Sequence, residues 1–96
     1  MPVYLSAQLD IHDREAYAAY EAGFMAIFQK YNGQILAVDE TTEVLEGDWH
    51  YTRSVLIQFP NRADALAWFE SPEYQSLAKH RRAAATGSIV MMKGLG

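Results

Sequence analysis

Arg81 and the stretch Glu46-Gly47-Asp48-Trp49-His50 hold the side chains best suited to chemistry in this chain. Tyr74, Leu77, Ala78 and Arg81 fall at i, i+3, i+4 and i+7, one face of a helix, so the arginine ends a stripe that packs inward. A buried charge is expensive unless paired, and Glu46 and Asp48 are the acids expected to pair with it. Alternatively, the planar guanidinium grips the carboxylate or enolate of a small ligand in bidentate fashion, or simply stabilises a helix C-terminus. Trp49 and His50 stand at the mouth of a strand. An indole there can stack on a planar ligand, and an imidazole can move a proton near neutral pH. The plainer reading is a packing indole and a solvated imidazole. Tyr74 either packs with its hydroxyl tied to a backbone group or meets the same ligand. The expected site is thus His50 as the catalytic proton carrier, with Glu46, Asp48, Trp49, Tyr74 and Arg81 binding substrate.

Other chemistries find little support. His12, His50 and His80 are the only histidines, and no two share a metal-binding i, i+4 spacing on a helix. There is no cysteine, so thiolate sites and disulfides are excluded. No metal and no cofactor are expected. No phosphate-cradling glycine loop or nucleophile elbow occurs, and Ser71 and Ser76 have ordinary places at a helix cap and on a helix surface. Pro2 offers a rival. An N-terminal proline opening a strand is the general base of tautomerases, but its amine works only once Met1 is removed.

The 96 residues suit a single domain, residues 1–96. Half are apolar and 21% charged, a globular balance. The formal charge of −4 disfavours nucleic acid, because phosphate contacts need a basic face and Lys79-His80-Arg81-Arg82 is the one basic cluster. No apolar run approaches the roughly 20 residues of a membrane span, and the first residues lack the features of a signal peptide. A cytoplasmic protein is the expectation.

The elements that position these residues follow from periodicity and punctuation. Val3, Leu5, Ala7 and Leu9 alternate with Tyr4, Ser6, Gln8 and Asp10, which predicts a half-buried strand. Asp13 caps a helix whose stripe is Tyr17, Tyr20, Phe24, Ile27, Phe28 and Tyr31, ended by Gly33 in a left-handed turn. So aromatic a stripe either packs on the sheet or lines a ligand pocket. Gln34 to Glu40 is a second strand. Tyr51 to Phe59 is a third, with Val55, Ile57 and Phe59 on one face and Ser54, Leu56 and Gln58 on the other. Pro60 stops it. Asn61 caps a short helix that buries Ala65, Leu66, Trp68 and Phe69. Ser71 before Pro72 breaks that helix and caps the next. Thr86 to Met92 is the last strand, and Gly94 and Gly96 mark a loose end.

The order strand, helix, strand, strand, broken helix, strand predicts an α+β fold: a four-stranded antiparallel sheet with helices on one face. The other face then carries Tyr4, Ser6, Gln8, Ser54, Leu56 and Gln58, neither charged like a solvated face nor greasy like a core. The fourth strand, Ile89-Val90-Met91-Met92, is apolar on both faces, as in strands covered on both sides. Such a face suggests contact with a second copy of the chain, a homodimer through the open sheet face.

Leu45-Glu46-Gly47-Asp48-Trp49, Gln58-Phe59-Pro60-Asn61, Ser71-Pro72-Glu73-Tyr74-Gln75 with Arg81 beyond, and Lys93-Gly94 together resemble a family of uncharacterised small bacterial proteins in the dimeric α/β-barrel superfamily. The resemblance runs from about Tyr4 to Gly94. It implies a ferredoxin-like protomer and a homodimer whose sheets face each other as a barrel, and it brings no known activity. Wider relatives include cofactor-free monooxygenases, muconolactone isomerases, dyp-type peroxidases and ligand-sensing modules. Three positions depart from the family pattern. Asn32-Gly33 replaces a glycine pair, Asn61 replaces a serine cap, and Gln58 replaces a glutamate, so no acid–base role can rest on position 58. The resulting expectation is a cofactor-independent isomerase, lyase or monooxygenase acting on a small planar anionic metabolite. The alternative is a non-catalytic homodimeric ligand-binding or sensing module.

Overall fold

The computed structural model of the protein describes residues 1–95. Gly96 lies outside the described residues. Strands β1 (Val3–Ile11), β2 (Gln34–Asp39), β3 (Arg53–Phe59) and β4 (Ala85–Lys93) form one antiparallel sheet in the order β2-β3-β1-β4. Helices α1 (Arg14–Phe28), α2 (Arg62–Phe69) and α3 (Pro72–Ala84) supply the second layer. The architecture is the ferredoxin-like α+β fold. The body measures 32 × 31 × 15 Å, a slab as thin as one sheet with one layer of helices requires.

Register explains the two faces. Val3, Leu5 and Leu9 of β1 are buried, and they pair with Phe59, Ile57 and Arg53 on β3. Ser6 pairs with Leu56 on β3 and Val90 on β4, so these three share the face away from the helices. A bulge between Ile35 and Ala37 shifts the pairing of β2. It lies in β2 and leaves β3 regular. Leu56 therefore keeps the open-face position that alternation assigns it, while the bulge turns Val38 to the helical side, opposite Val55.

Cap chemistry sets the helix ends. Asp13 Oδ1 accepts from Ala16 N at 3.0 Å, and Asn61 Oδ1 from Asp64 N at 2.8 Å. Ser71 Oγ accepts from Tyr74 N at 3.2 Å and donates to the Trp68 carbonyl at 2.8 Å, joining the end of α2 to the start of α3. Both bonds are buried. Ser71→Ala is expected to destabilise the fold by about 1–2 kcal/mol, because Tyr74 N loses its partner away from water while the Trp68 carbonyl keeps the Ser71 N–H. Urea denaturation measures this, and a change within a few tenths would show that water replaces the hydroxyl.

Several boundaries differ from expectation: β2 stops at Asp39, one residue short of Glu40, and β4 spans Ala85–Lys93, one residue beyond Thr86 and Met92 at each end. α1 ends at Phe28, after 15 residues, rather than running to Gly33. Lys30 N and Tyr31 N reach back only three residues, to Ile27 O and Phe28 O, a tightened turn that closes the helix. Gly33 does not adopt a positive φ. Its value is space: a Cβ there would lie 2.6 Å from the ring tips of both Phe28 and Phe59. β3 begins at Arg53 rather than Tyr51. Gly94, expected in a loose end, is held by a 2.8 Å bond from its N–H to Pro2 O.

The core is aromatic. Phe28, Phe59 and Tyr74 are fully enclosed, and Trp68 is 2% exposed. Trp68 stacks on Phe59 at 5.7 Å, and Phe28 meets Trp68 edge-on at 5.4 Å. Among the described residues, no helix is long and apolar enough to cross a membrane.

Candidate functional site

One end of the helix–sheet interface does not close. A cavity of about 210 Å³ remains between α1, α3 and the helical face of the sheet. Leu5, Val55, Ile57 and Ile89 form its sheet wall; Tyr17, Tyr20, Phe24, Trp68, Tyr74 and Arg81 complete it from the helices. The aromatic stripe divides between core and cavity lining. Phe28 is pure core, whereas Tyr17, Tyr20 and Phe24 bury against the sheet and also line the cavity.

Polar groups enter this apolar space at few points. The Tyr20 and Tyr74 hydroxyls share a 2.7 Å hydrogen bond. Tyr74 thus ties its hydroxyl to a side chain, not to backbone. Burial pushes the Tyr20 pKa far above the ordinary phenol value, and neighbouring Tyr74 adds to this against a smaller opposing effect of Arg81. Burial likewise raises Tyr17, partly offset by Arg53. The guanidinium of Arg81 lies 5.9 Å from the Tyr20 ring centre, and that of Arg53 lies 5.5 Å from the Tyr17 ring centre, both cation–π distances.

Arg53 governs the mouth. Its side chain is 16% exposed and binds Glu40 at 3.0 Å and Glu21 at 3.4 Å. Glu40 also binds Arg14 at 2.8 Å. Hydrogen bonds from Arg14 and then Arg53 hold the Glu40 carboxyl below its usual range. Burial works against the charge on Arg53, but Tyr17 and the carboxylates of Glu40 and Glu21 outweigh it and raise its pKa. The sequence reading passed Arg53 by, although a signal was present. Arg53, Val55, Ile57 and Phe59 share one parity on β3, which places a cation on the buried face of a strand.

Of the six residues expected at the site, Tyr74 and Arg81 line the cavity. Glu46, Asp48, Trp49 and His50 do not. They belong to the exposed connection between β2 and β3. His50 Nδ1 lies 3.6 Å from the Asp10 carboxylate, and Trp49 packs on Tyr51 at 4.9 Å. Asp10 projects from the open face of β1, so the sheet stands between His50 and the cavity. The expected pairing of Arg81 with Glu46 or Asp48 is corrected: neither acid is within ion-pair distance, because Arg81 points inward from α3 while the connection stays in solvent. Among the described residues, no three His, Asp or Glu side chains converge as metal ligands.

Comparison with known proteins gives this geometry a context. A family described as a domain of unknown function, DUF1330, matches residues 2–95. The chain belongs to that family. None of the curated proteins matches the sequence. Among solved structures, a protein of unknown function from Rhodopseudomonas palustris superposes with a TM-score of 0.84 at 22% identity, covering 99% of this chain and 83% of that one. SnoaB, a cofactor-independent oxygenase from Streptomyces nogalater, gives 0.72 at 11% identity, covering 99% and 94%. A protein from Bacteroides fragilis, described as dimeric with a ferredoxin-like fold and of unknown function, gives 0.70 at 14%, covering 97% and 96%. At these identities the likeness is one of fold.

Proposed function

We propose that this DUF1330 protein is a homodimer that binds a small planar organic anion in the cavity between helices and sheet, with Arg81 as the anchor. The observation that carries this reading is an arginine that lines an apolar cavity while its Nε, buried, has no hydrogen-bond partner. Arg81 as a whole is half-buried, and among the described residues no carboxylate lies within ion-pair distance of it, which leaves its charge open to an anion in the cavity. The rings of Phe24 and Trp68 both line the space and stand at 70° to each other, so a planar partner can meet one face-on and the other edge-on.

The enzymatic form of this proposal is cofactor-independent isomerase, lyase or monooxygenase chemistry. In each, a substrate enolate or similar anion would be stabilised by Arg81 in a water-poor space. The presence of a cofactor-independent oxygenase, SnoaB, on this fold is an analogy in its favour. The second form is a non-catalytic binding or sensing module, and one observation favours it. The cavity lacks an available base: Glu21 is engaged with Arg53, His50 is elsewhere, and burial keeps the Tyr17 and Tyr20 hydroxyls protonated.

A thermal-shift screen of metabolites is the direct test. Arg81→Met sharpens it by keeping much of the stem's packing while removing the charge. Because no acid is stranded by the change, stability should move by less than about 1 kcal/mol. The melting response to any anionic ligand should vanish. A large stability loss with unaltered ligand response would dispose of the ligand role.

A further inference from the structure

The buried side-chain atoms of the cavity lining that lack a hydrogen-bond partner are all donors. Arg53 Nε, Trp68 Nε1 and Arg81 Nε are buried without a hydrogen-bond partner, and all three residues line the cavity. Each of these atoms is a donor with no lone pair to offer. The hydroxyls of Tyr20 and Tyr74, which could have served either way, are bonded to each other. Buried polar groups are normally satisfied, so three orphaned donors around one space describe a missing set of acceptors.

Charge narrows the choice further. Arg14, Arg53, Glu21 and Glu40 form one connected group at the mouth, two cations against two anions. They cancel. Arg81 has no carboxylate within ion-pair distance among the described residues. Tyr17 and Tyr20 stay neutral near pH 7, since burial raises both. The site therefore offers one uncompensated positive charge. A second negative charge on a ligand would face Glu21 and Glu40 instead of a free cation.

Size sets the third bound. An apolar cavity of about 150 Å³ can hold benzene. The 210 Å³ here admits one ring with a small substituent.

Resting on the proposed function above, we infer that the ligand is a monoanionic, single-ring carboxylate carrying at least one further oxygen acceptor, and not a phosphate ester or a dicarboxylate. The carboxylate meets Arg81. The ring lies among Phe24, Leu5 and Ile57. The second oxygen accepts from Trp68 Nε1.

Isothermal titration at neutral pH with six probes separates this from its rivals: benzoate, meta- and para-formylbenzoate, phthalate, phenyl phosphate and benzamide. A formylbenzoate should bind best, about tenfold tighter than benzoate, from one added hydrogen bond. Phthalate and phenyl phosphate should bind more weakly than benzoate, and benzamide not at all. Trp68→Phe keeps an aromatic ring and removes the donor. It should erase the tenfold advantage of formylbenzoate over benzoate, whatever the smaller ring does to benzoate itself. Phthalate or phenyl phosphate matching benzoate would overturn the monoanion inference and leave an anion site standing. Equal losses for both carboxylates in Trp68→Phe would overturn the role of Nε1. Benzamide matching benzoate, or no binding by any probe, would overturn the inference together with the function it rests on.

Discussion

Leu56→Glu is expected to turn the proposed dimer into a 10.8 kDa monomer, with the protomer fold retained. Leu56 sits near the middle of the open face, paired with Ser6 on β1 and Ala37 on β2. Val90 and Met92 of the edge strand β4 share that face and are 48% and 50% exposed. Four strands of nine, six, seven and nine residues, spaced about 4.8 Å apart, give a face of roughly 500 Å². Joining two such faces hides on the order of 1,000 Å², near the lower bound for a stable interface. An interface of that size has little to spare. Two glutamates brought together across a two-fold axis would add like-charge repulsion to the loss of two leucines. The position is half-buried in the protomer, so the free subunit can send the carboxylate to water. Sedimentation velocity at micromolar concentration reads the result. A Leu56→Glu protein that stays dimeric would move the interface elsewhere, and a native protein that sediments as a monomer would remove the barrel altogether.

Leu56 also shows what the sequence makes legible. Its face follows from alternation, which is local, and β3 carries no bulge to disturb it. The same holds for Asp13, Asn61 and Ser71, whose capping bonds involve backbone groups only three residues away. Strand order follows from the order of elements, and with it the ferredoxin-like fold. What failed were statements linking distant parts of the chain. Charge alone pairs Arg81 with Glu46 and Asp48, yet His50 of the same loop meets Asp10 on the open face. Nothing within the loop decides which side of a sheet it lies beside. Arg53 was overlooked because a strand is traced through its apolar residues, and the cation completing their face reads as a terminus. Gly33 is not the left-handed helix end that its type suggests, and what demands glycine there includes Phe59, 26 residues along the chain, whose ring lies where a Cβ would go.

Gly87→Ala is expected to produce the largest loss of stability of any single methyl added to this protein. Gly87 lies opposite Leu9 where β4 begins its pairing with β1. Its φ is 157°, which residues with a side chain rarely adopt. A Cβ built there collides with the carbonyl oxygen of Gln8 and lies 3.0 Å from Leu9 Cα. Both obstacles are backbone of β1, the central strand that pairs with β3 on its other side, so no rotamer change relieves them. Either β4 draws away from β1 or the pairing around Gln8 and Ser88 breaks. Strain of this kind, together with lost ladder bonds, amounts to about 2–4 kcal/mol. For a domain this small that is roughly 10–25 °C in melting temperature, compared at equal protomer concentration because the proposed dimerisation would contribute to Tm. The effect should extend to the cavity. Ile89, two residues along β4, forms part of its wall, so displacing the strand opens the space that Arg81 and Trp68 enclose. Gly87→Ala should therefore weaken ligand response even below its melting point. Urea denaturation followed by ligand titration on the folded variant checks both parts. A change under about 0.5 kcal/mol, the range of ordinary surface substitutions, would mean that β1 and β4 do not approach as closely as described here.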